Sequence, residues 1–200
     1  MAQADDIALW IRQLADPDPA KRVAAAQAVR AAAFTECFSE SNDWIRDPEF
    51  QKFTDPLAAG DATGLAYVVG IAVHRENFEH IRLANGSPRL AEVPANQDAI
   101  EFELHFGEEG DLDILTTRDS RGPGAIARYL EKFGEGIQQV EVKVSDVDRA
   151  TSLLSTRFGL RPVYPSTQSG ADQTRVNFFL LPARGGRKCL IELVEPAAFK

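Results

Sequence analysis

The strongest constraint on the fold is a strand pattern that runs directly into a helix pattern in the second half of the chain. Gln139, Glu141 and Lys143 alternate with three valines, which is the period of a half-buried strand. Apolar residues then recur at helical spacing: Val147, Ala150, Leu154 and Phe158. A strand followed at once by an amphipathic helix predicts an α+β fold.

This helix has sequence signals at both ends. Ser145 is expected to cap its start, with Asp148 three positions later, and Gly159 is expected to end it. Three further stretches with strand composition follow it: Arg161–Tyr164, Arg175–Leu180 and Lys188–Val194. The predicted order of this half is therefore β-α-β-β-β.

Four short motifs in this half point to a known family. They are GEGI at 134–137, Gly-Leu at 159–160, NFFLLP at 177–182 and IELVEP at 191–196. With these motifs, residues 122–196 resemble the second module of the vicinal oxygen chelate superfamily, which includes glyoxalases, bleomycin-resistance proteins and dioxygenases. Within the superfamily, the segment is most similar to methylmalonyl-CoA epimerases and glyoxalase I. The resemblance implies paired β-α-β-β-β modules of glyoxalase type around a shared cleft.

The rest of the chain can be arranged around that second module. Residues 65–118 are expected to form a first, degenerate module, residues 122–134 a linker helix and residues 135–196 the second module. The elements expected in the first module are a strand at Val68–Val73, a helix at Asn77–Ala84 and strands at Ile100–Phe106 and Leu112–Leu115. Residues 1–60 are expected to form an N-terminal helical extension with helices at Asp6–Leu14, Ala20–Phe34 and Glu49–Phe53.

Charge and composition argue against several kinds of partner. The net charge of −8, without a basic cluster, is unfavourable for nucleic-acid binding. The N-terminus lacks the apolar core of a secretory signal, and the run Val23–Phe34 is too short to span a membrane. Cys37 and Cys189 are expected to be small buried hydrophobic residues, without a disulfide. We therefore expect a cytoplasmic protein that binds neither nucleic acid nor membrane.

The resemblance also implies where a metal would bind. Each module of the metal-using relatives supplies a His from its first strand and a Glu from its last strand. The matching positions here are Val68 and Asp113 in the first module, and Gln139 and Glu192 in the second. Only Glu192 keeps the ligand type, so we expect either no cofactor or a weakly bound divalent metal.

Strand alternation predicts which polar residues share the cleft. If the apolar faces pack on helices, the cleft face carries Glu101, Glu103, His105, Asp113, Gln139, Glu141, Lys143, Arg175, Asn177 and Glu192. Crowded carboxylates raise the pKa of at least one member and suit it to acid–base work.

Candidate roles follow from these residue types. Glu192, His105 and Asp113 are the candidate acid–base groups, and Gln139, Glu103, Lys143 and Arg175 are the candidate substrate contacts. The same alternation is also typical of a strand whose polar face lies in solvent.

Three functions remain open from the sequence. The first is binding of a small molecule with proton transfer next to a carbonyl, which is an isomerase or lyase step. The second is sequestration of a ligand without turnover, as in the bleomycin-resistance members. The third is an interaction module or homodimer that uses the N-terminal helices.

Overall fold

The computed structural model describes residues 4–38, 43–54, 66–107, 110–182 and 188–197. Within these ranges the chain forms six α-helices and seven strands. The chain divides into two compact units, one made of residues 1–33 and 69–138 and the other of residues 34–68 and 139–200. The helical extension predicted for residues 1–60 is therefore shared between the two units. The predicted module limits stay predictions.

The first unit combines three strands with helices from both ends of its sequence. Its strands are β1 (Tyr67–Ala72, from Val69 onward), β2 (Ile100–His105) and β3 (Asp111–Thr116), in the order β2-β3-β1. Its helices are α1 (Ala4–Gln13), α2 (Pro19–Cys37, up to Ala33), α4 (Arg75–Ala84) and α5 (Ala125–Phe133). Strands β2 and β3 are antiparallel.

Both faces of the β2–β3 pair carry apolar contacts. On one face, the rings of Phe78 on α4 and Phe102 on β2 lie 4.8 Å apart, and both residues are fully buried. On the other face, Leu115 packs with Ile126 and Leu130 of α5. The cross-strand partner of Leu115 is Glu101, so α5 covers one end of the face that the acidic residues occupy.

The first unit shows the order β-α-β-β in residues 66–107 and 110–116, one strand fewer than a complete module. The segment 87–99, between α4 and β2, has no strand. It contains Pro88 and Pro94, which lack the N–H that a ladder requires. Ala91 makes one backbone hydrogen bond with Glu101 of β2, at 3.0 Å.

Helix α1 is part of the core of the first unit. Ile11 on α1 and Leu14 just after it are fully buried, as is typical of the apolar side of an amphipathic helix. The amide of Asn85, at the end of α4, donates to the carbonyls of Leu14 and Ile81 at 2.9 and 2.8 Å. The extension therefore stabilises the fold of this unit.

The second unit is built on four strands and one long helix. Its strands are β4 (Gly136–Lys143, from Gln139 onward), β5 (Gln168–Ser169), β6 (Arg175–Pro182) and β7 (Lys188–Glu195), in the order β4-β7-β6-β5. Its helices are α3 (Pro48–Gln51) and α6 (Val147–Phe158). Strands β4 and β7 are parallel, whereas β6 and β7 are antiparallel.

Helix α6 follows its sequence signals, with one correction. Gly159 ends it in the left-handed conformation at φ 67°, as predicted. Its N-cap is Asp146 and not Ser145, because the Asp146 carboxylate accepts from the backbone N–H of Arg149 at 3.0 Å. The N–H of Ser145 is instead bonded to the carbonyl of Phe53.

The strand predicted at Arg161–Tyr164 is wrong. Pro162 forms only an isolated bridge to Phe179, although Val163 donates to the carbonyl of Phe178 at 2.7 Å. Pro162 has no N–H, and Pro165 ends the stretch.

The cysteine prediction is also wrong. Cys37, at the end of α2, and Cys189, on β7, form a disulfide within the second unit. Both residues are buried, as expected, but they are separated by 152 positions in sequence. Close by in sequence, aromatic rings of this unit pack against one another: Phe34, Phe38, Trp44, Phe50 and Tyr67. Among the described residues, none of the helices has the length and apolar character needed to cross a membrane.

Candidate functional site

Strands β4 and β7 carry a polar cluster in the second unit, formed by the buried Gln139 and Glu192 and the half-buried Glu141. Nε2 of Gln139 donates to Oε2 of Glu192 at 2.7 Å and to Oε1 of Glu141 at 3.0 Å. Gln139 is 7% exposed and Glu192 is 8% exposed. One amide group therefore holds two carboxylates together in a largely dry environment.

The sheet register explains this meeting. Parallel pairing sets Glu141 beside Glu192, and side chains alternate between faces along each strand. The neighbours of Glu192 on β7, Ile191 and Leu193, are fully buried on the opposite face. Because Ile191 and Leu193 pack into the core on one face of β7, Glu192 between them points to the other face.

The face that carries Glu192 also has an aromatic neighbour. Phe178 is the cross-strand partner of Glu192 on β6, so the two side chains share a face. The ring of Phe178 lies 5.9 Å from the ring of Tyr164. Phe179 is fully buried on the other face, so the two phenylalanines point to opposite sides of the sheet.

These residues do not fit the metal that the resemblance implies. The Gln139 amide uses its N–H groups as donors to both carboxylates, and an amide nitrogen that donates in this way is not a metal ligand. Val68, at the other His position, is a buried hydrocarbon side chain on β1. A transition-metal site would need imidazole or thiolate at such positions. The chemistry available here is that of two carboxylates and an amide.

A second cluster lies on the β2–β3 hairpin of the first unit. Nδ1 of His105 is 3.0 Å from Oδ1 of Asp111, and Nε2 of His105 is 3.9 Å from Oε2 of Glu103. The backbone register pairs His105 with Asp111 and Glu103 with Asp113. Glu103, His105 and Asp113 therefore share one face, as alternation predicted. Their chemical roles stay predictions.

Arg175 and Asn177 lie on the opposite face from Glu192, which corrects the predicted shared face. Their cross-strand partners on β7 are Glu195 and Leu193. Strand β6 has apolar residues on both faces, so its sequence left the orientation of the strand ambiguous.

Arg175 belongs to a charged network at the start of α6. It forms ion pairs with Asp148 and Glu195, and Glu195 also accepts from the N–H of Val147 at 2.9 Å. Hydrogen bonds from Thr167 and then Arg175 lower the pKa of Asp148. Bonding to Asp148 and then Glu195 raises the pKa of Arg175. This network anchors the helix start to the sheet.

Lys143 keeps the predicted alternation with Gln139 and Glu141. It is half-buried at the end of β4, and its backbone N–H donates to the carbonyl of Ala66 at 3.1 Å. Asp111 is a member of the hairpin cluster that was not among the candidate residues from the sequence. Pairing the two strands outward from the short turn at 107–110 sets Asp111 opposite His105, and this pairing was the sequence signal that could have identified Asp111.

No protein-family model matches the chain, and no curated protein sequence matches it either. Solved structures do match. The methylmalonyl-CoA epimerase of Mycobacterium tuberculosis is 32% identical, with a TM-score of 0.55 over 67% of this chain and 90% of that one. A Streptomyces coelicolor methylmalonyl-CoA epimerase in complex with 2-nitronate-propionyl-CoA is 25% identical, with a TM-score of 0.52 over 66% of this chain and 96% of that one. A methylmalonyl-CoA epimerase in complex with methylmalonyl-CoA is also 25% identical, with a TM-score of 0.53 over 66% of this chain and 93% of that one.

Proposed function

Because this chain belongs to the vicinal oxygen chelate superfamily, we propose that it binds a small acyl thioester and moves a proton at the carbon next to the carbonyl. The observation that carries this proposal is the pair of carboxylates, Glu141 and Glu192, joined by the amide of Gln139. Two carboxyl groups at one site suit an isomerisation, in which one removes a proton and another returns one.

The proposed roles balance protons without a metal. Glu192, as carboxylate, takes the proton from the α-carbon and leaves an enolate. Glu141, as carboxylic acid, returns a proton to that carbon. Lys143 is the proposed donor to the enolate oxygen, because it follows Glu141 by two residues on β4. Gln139 is a positioning residue that fixes both carboxyl groups.

The test is α-proton exchange of methylmalonyl-CoA in D2O, followed by proton NMR with the full-length protein. We expect exchange well above the buffer rate, and we expect Glu192→Gln to lower it at least 100-fold. The matched control is Glu79→Gln, which changes an exposed glutamate on α4 that pairs with Arg75. Wild-type protein that exchanges no faster than buffer would refute the proposed reaction.

Ligand sequestration is the second candidate, and the aromatic pair of Tyr164 and Phe178 favours it. Phe178 shares the face of Glu192, so an aromatic wall adjoins buried negative groups. Such a surface suits an apolar ligand with a cationic group. Calorimetry with a set of aromatic cations tests this candidate. Saturable binding that Phe178→Ala weakens, without turnover, supports sequestration, and heats at the level of dilution refute it.

The interaction-module interpretation has less support. Its helices would need an exposed apolar surface, yet Ile7 and Ile11 of α1 and Leu14 just after it are buried. A homodimer stays a proposal, which sedimentation of the purified chain tests.

The cytoplasmic location is also a proposal, and the disulfide bears on it. Structural disulfides persist mainly in oxidising compartments. Alkylation of free thiols in intact cells, followed by mass spectrometry, tests both points. Labelled Cys37 and Cys189 would support a reducing compartment, and unlabelled cysteines would argue against the cytoplasm.

A further inference from the structure

We propose that the Glu103, His105 and Asp111 cluster on the β2–β3 hairpin binds a divalent transition metal of the zinc type. Each residue offers one ligand atom, and these atoms lie within 4.8 Å of one another. The site uses none of the positions at which the superfamily places its metal, and it does not depend on the proposed reaction.

The hairpin arranges the three side chains as a triangle. Glu103 and His105 are two positions apart on β2 and therefore point to one face. Asp111 lies directly opposite His105 on β3, which brings the third side chain to the same face. Ligand atoms around a tetrahedral zinc lie about 3.4 Å apart, given bond lengths near 2.0–2.1 Å. Nδ1 of His105 faces Asp111 at 3.0 Å and Nε2 faces Glu103 at 3.9 Å, so a metal would require the side chains to turn until one ring nitrogen and both carboxylates converge.

The backbone around Asp111 is held in place independently of any metal. Gly110 donates to the carbonyl of Gly107 at 3.1 Å, and Phe106 donates to the carbonyl of Gly110 at 3.2 Å. Gly107 and Gly110 both adopt positive φ, at 65° and 88°, which glycine tolerates at no steric cost. Arg30 donates to the backbone carbonyl of Asp111 at 3.1 Å. This support reduces the entropy that a metal must remove when it binds.

The local charge favours a cation. Glu103 and Asp113 are direct cross-strand partners, and like charges in that position destabilise a strand pair. A bound divalent ion reduces this repulsion. Arg30 opposes a cation, and its guanidinium lies against the backbone of Gly110 and Asp111 at the turn.

Exposure sets the strength and kind of site. The side chain of His105 is 68% exposed, that of Glu103 39% and that of Asp111 28%, so water completes the coordination sphere. One imidazole with two carboxylates suits Zn²⁺, Co²⁺ or Ni²⁺ better than Ca²⁺, which prefers oxygen ligands alone.

The test is calorimetric titration of the full-length, tag-free protein with ZnCl2 in a buffer that does not bind metal. We expect one saturable site, which His105→Ala and Asp111→Asn each weaken at least tenfold. The matched control is His80→Ala, which removes an exposed histidine of α4 and should leave the affinity unchanged. Circular dichroism checks that each variant is folded.

Proton NMR with substoichiometric Co²⁺ provides an independent readout on the unaltered protein. The chain has three histidines, and the ring signals of His105 should broaden before those of His74 and His80. Absence of saturable zinc binding below about 1 mM, a value typical of weak metal modules, would overturn the proposal. Equal broadening of all three rings, or an unchanged affinity in His105→Ala, would also overturn it. None of these outcomes depends on proton exchange of a thioester.

Discussion

Nε2 of Gln139 on β4 lies 2.7 Å from Oε2 of Glu192 on β7, and both side chains are buried. The family resemblance implies a metal-binding His and Glu at these two positions, whereas here an amide stabilises a carboxylate. The replacement keeps the acidic group and supplies it with a donor from the protein. Buried carboxylates require such donors, because desolvation without a partner is costly.

Replacing Gln139 with leucine should destabilise the second unit. The substitution removes the donor that Glu141 and Glu192 share, and leaving a buried charged group without its bond costs about 1–3 kcal/mol or more. Urea unfolding at pH 7 measures the change in the free energy of unfolding. Adding Glu192→Gln to this variant should recover part of the loss, since a neutral amide is easier to bury. A double variant as unstable as the sum of the single variants would contradict this account.

Reduction of the Cys37–Cys189 disulfide should lower stability substantially. The bond closes a loop of 152 residues, and the chain-entropy relation gives about 5 kcal/mol for so long a loop, with measured effects usually nearer about 2–4 kcal/mol. Thermal unfolding with and without dithiothreitol measures the effect. A Cys37→Ser/Cys189→Ser variant should unfold at the same temperature as the reduced protein, and dithiothreitol should not change that temperature. An oxidised protein that unfolds at the same temperature as this variant would refute the prediction.

The network around Arg175 should contribute stability that disappears in acid. The pKa of Asp148 is lowered in the folded state, first by Thr167 and then by Arg175. A carboxyl whose pKa is lowered in the folded state stabilises the fold at pH values above its pKa in the unfolded chain, which is about 3.9. This contribution is lost as the pH falls through the pKa of the folded state. Because the groups are exposed, we expect less than about 1 kcal/mol.

Unfolding of Asp148→Asn between pH 2 and pH 7 checks this prediction. The variant should be less stable than wild type near neutral pH and equal to it at the acid end. High salt should reduce the difference in the free energy of unfolding between wild type and Asp148→Asn. A difference that grows as the pH falls would contradict the assigned sign.

Replacing Glu135 with alanine should destabilise the start of α4. The Glu135 carboxylate accepts from the N–H of His74 at 2.8 Å and from the Asn77 amide at 2.9 and 2.8 Å. Loss of such a cap costs about 0.5–2 kcal/mol. Urea unfolding measures the loss in the free energy of unfolding. The matched control is Glu131→Ala, which changes an exposed glutamate of α5. Equal effects of the two changes would argue against the capping role.

Several parts of the site could be predicted from sequence because they depend on neighbouring residues. Alternation set Gln139, Glu141 and Lys143 on one face of β4, and the same rule set Glu103 and His105 on one face of β2. On β6 the rule failed, because Val176, Phe178 and Leu180 are as apolar as Phe179 and Leu181. Alternation then marks two faces without saying which one packs on the helix.

The sequence by itself determined most of the helices and strands, the end of α6 at Gly159 and the family likeness of the second half. Only the tertiary structure decided that Gln139 meets Glu192 across 53 positions and that Cys37 meets Cys189 across 152. The physical reason is the distance along the chain over which each kind of interaction acts. Propensity, capping and periodicity act within one or two turns or strands, whereas contacts between distant segments follow from strand register, which the burial of both sheet faces sets collectively.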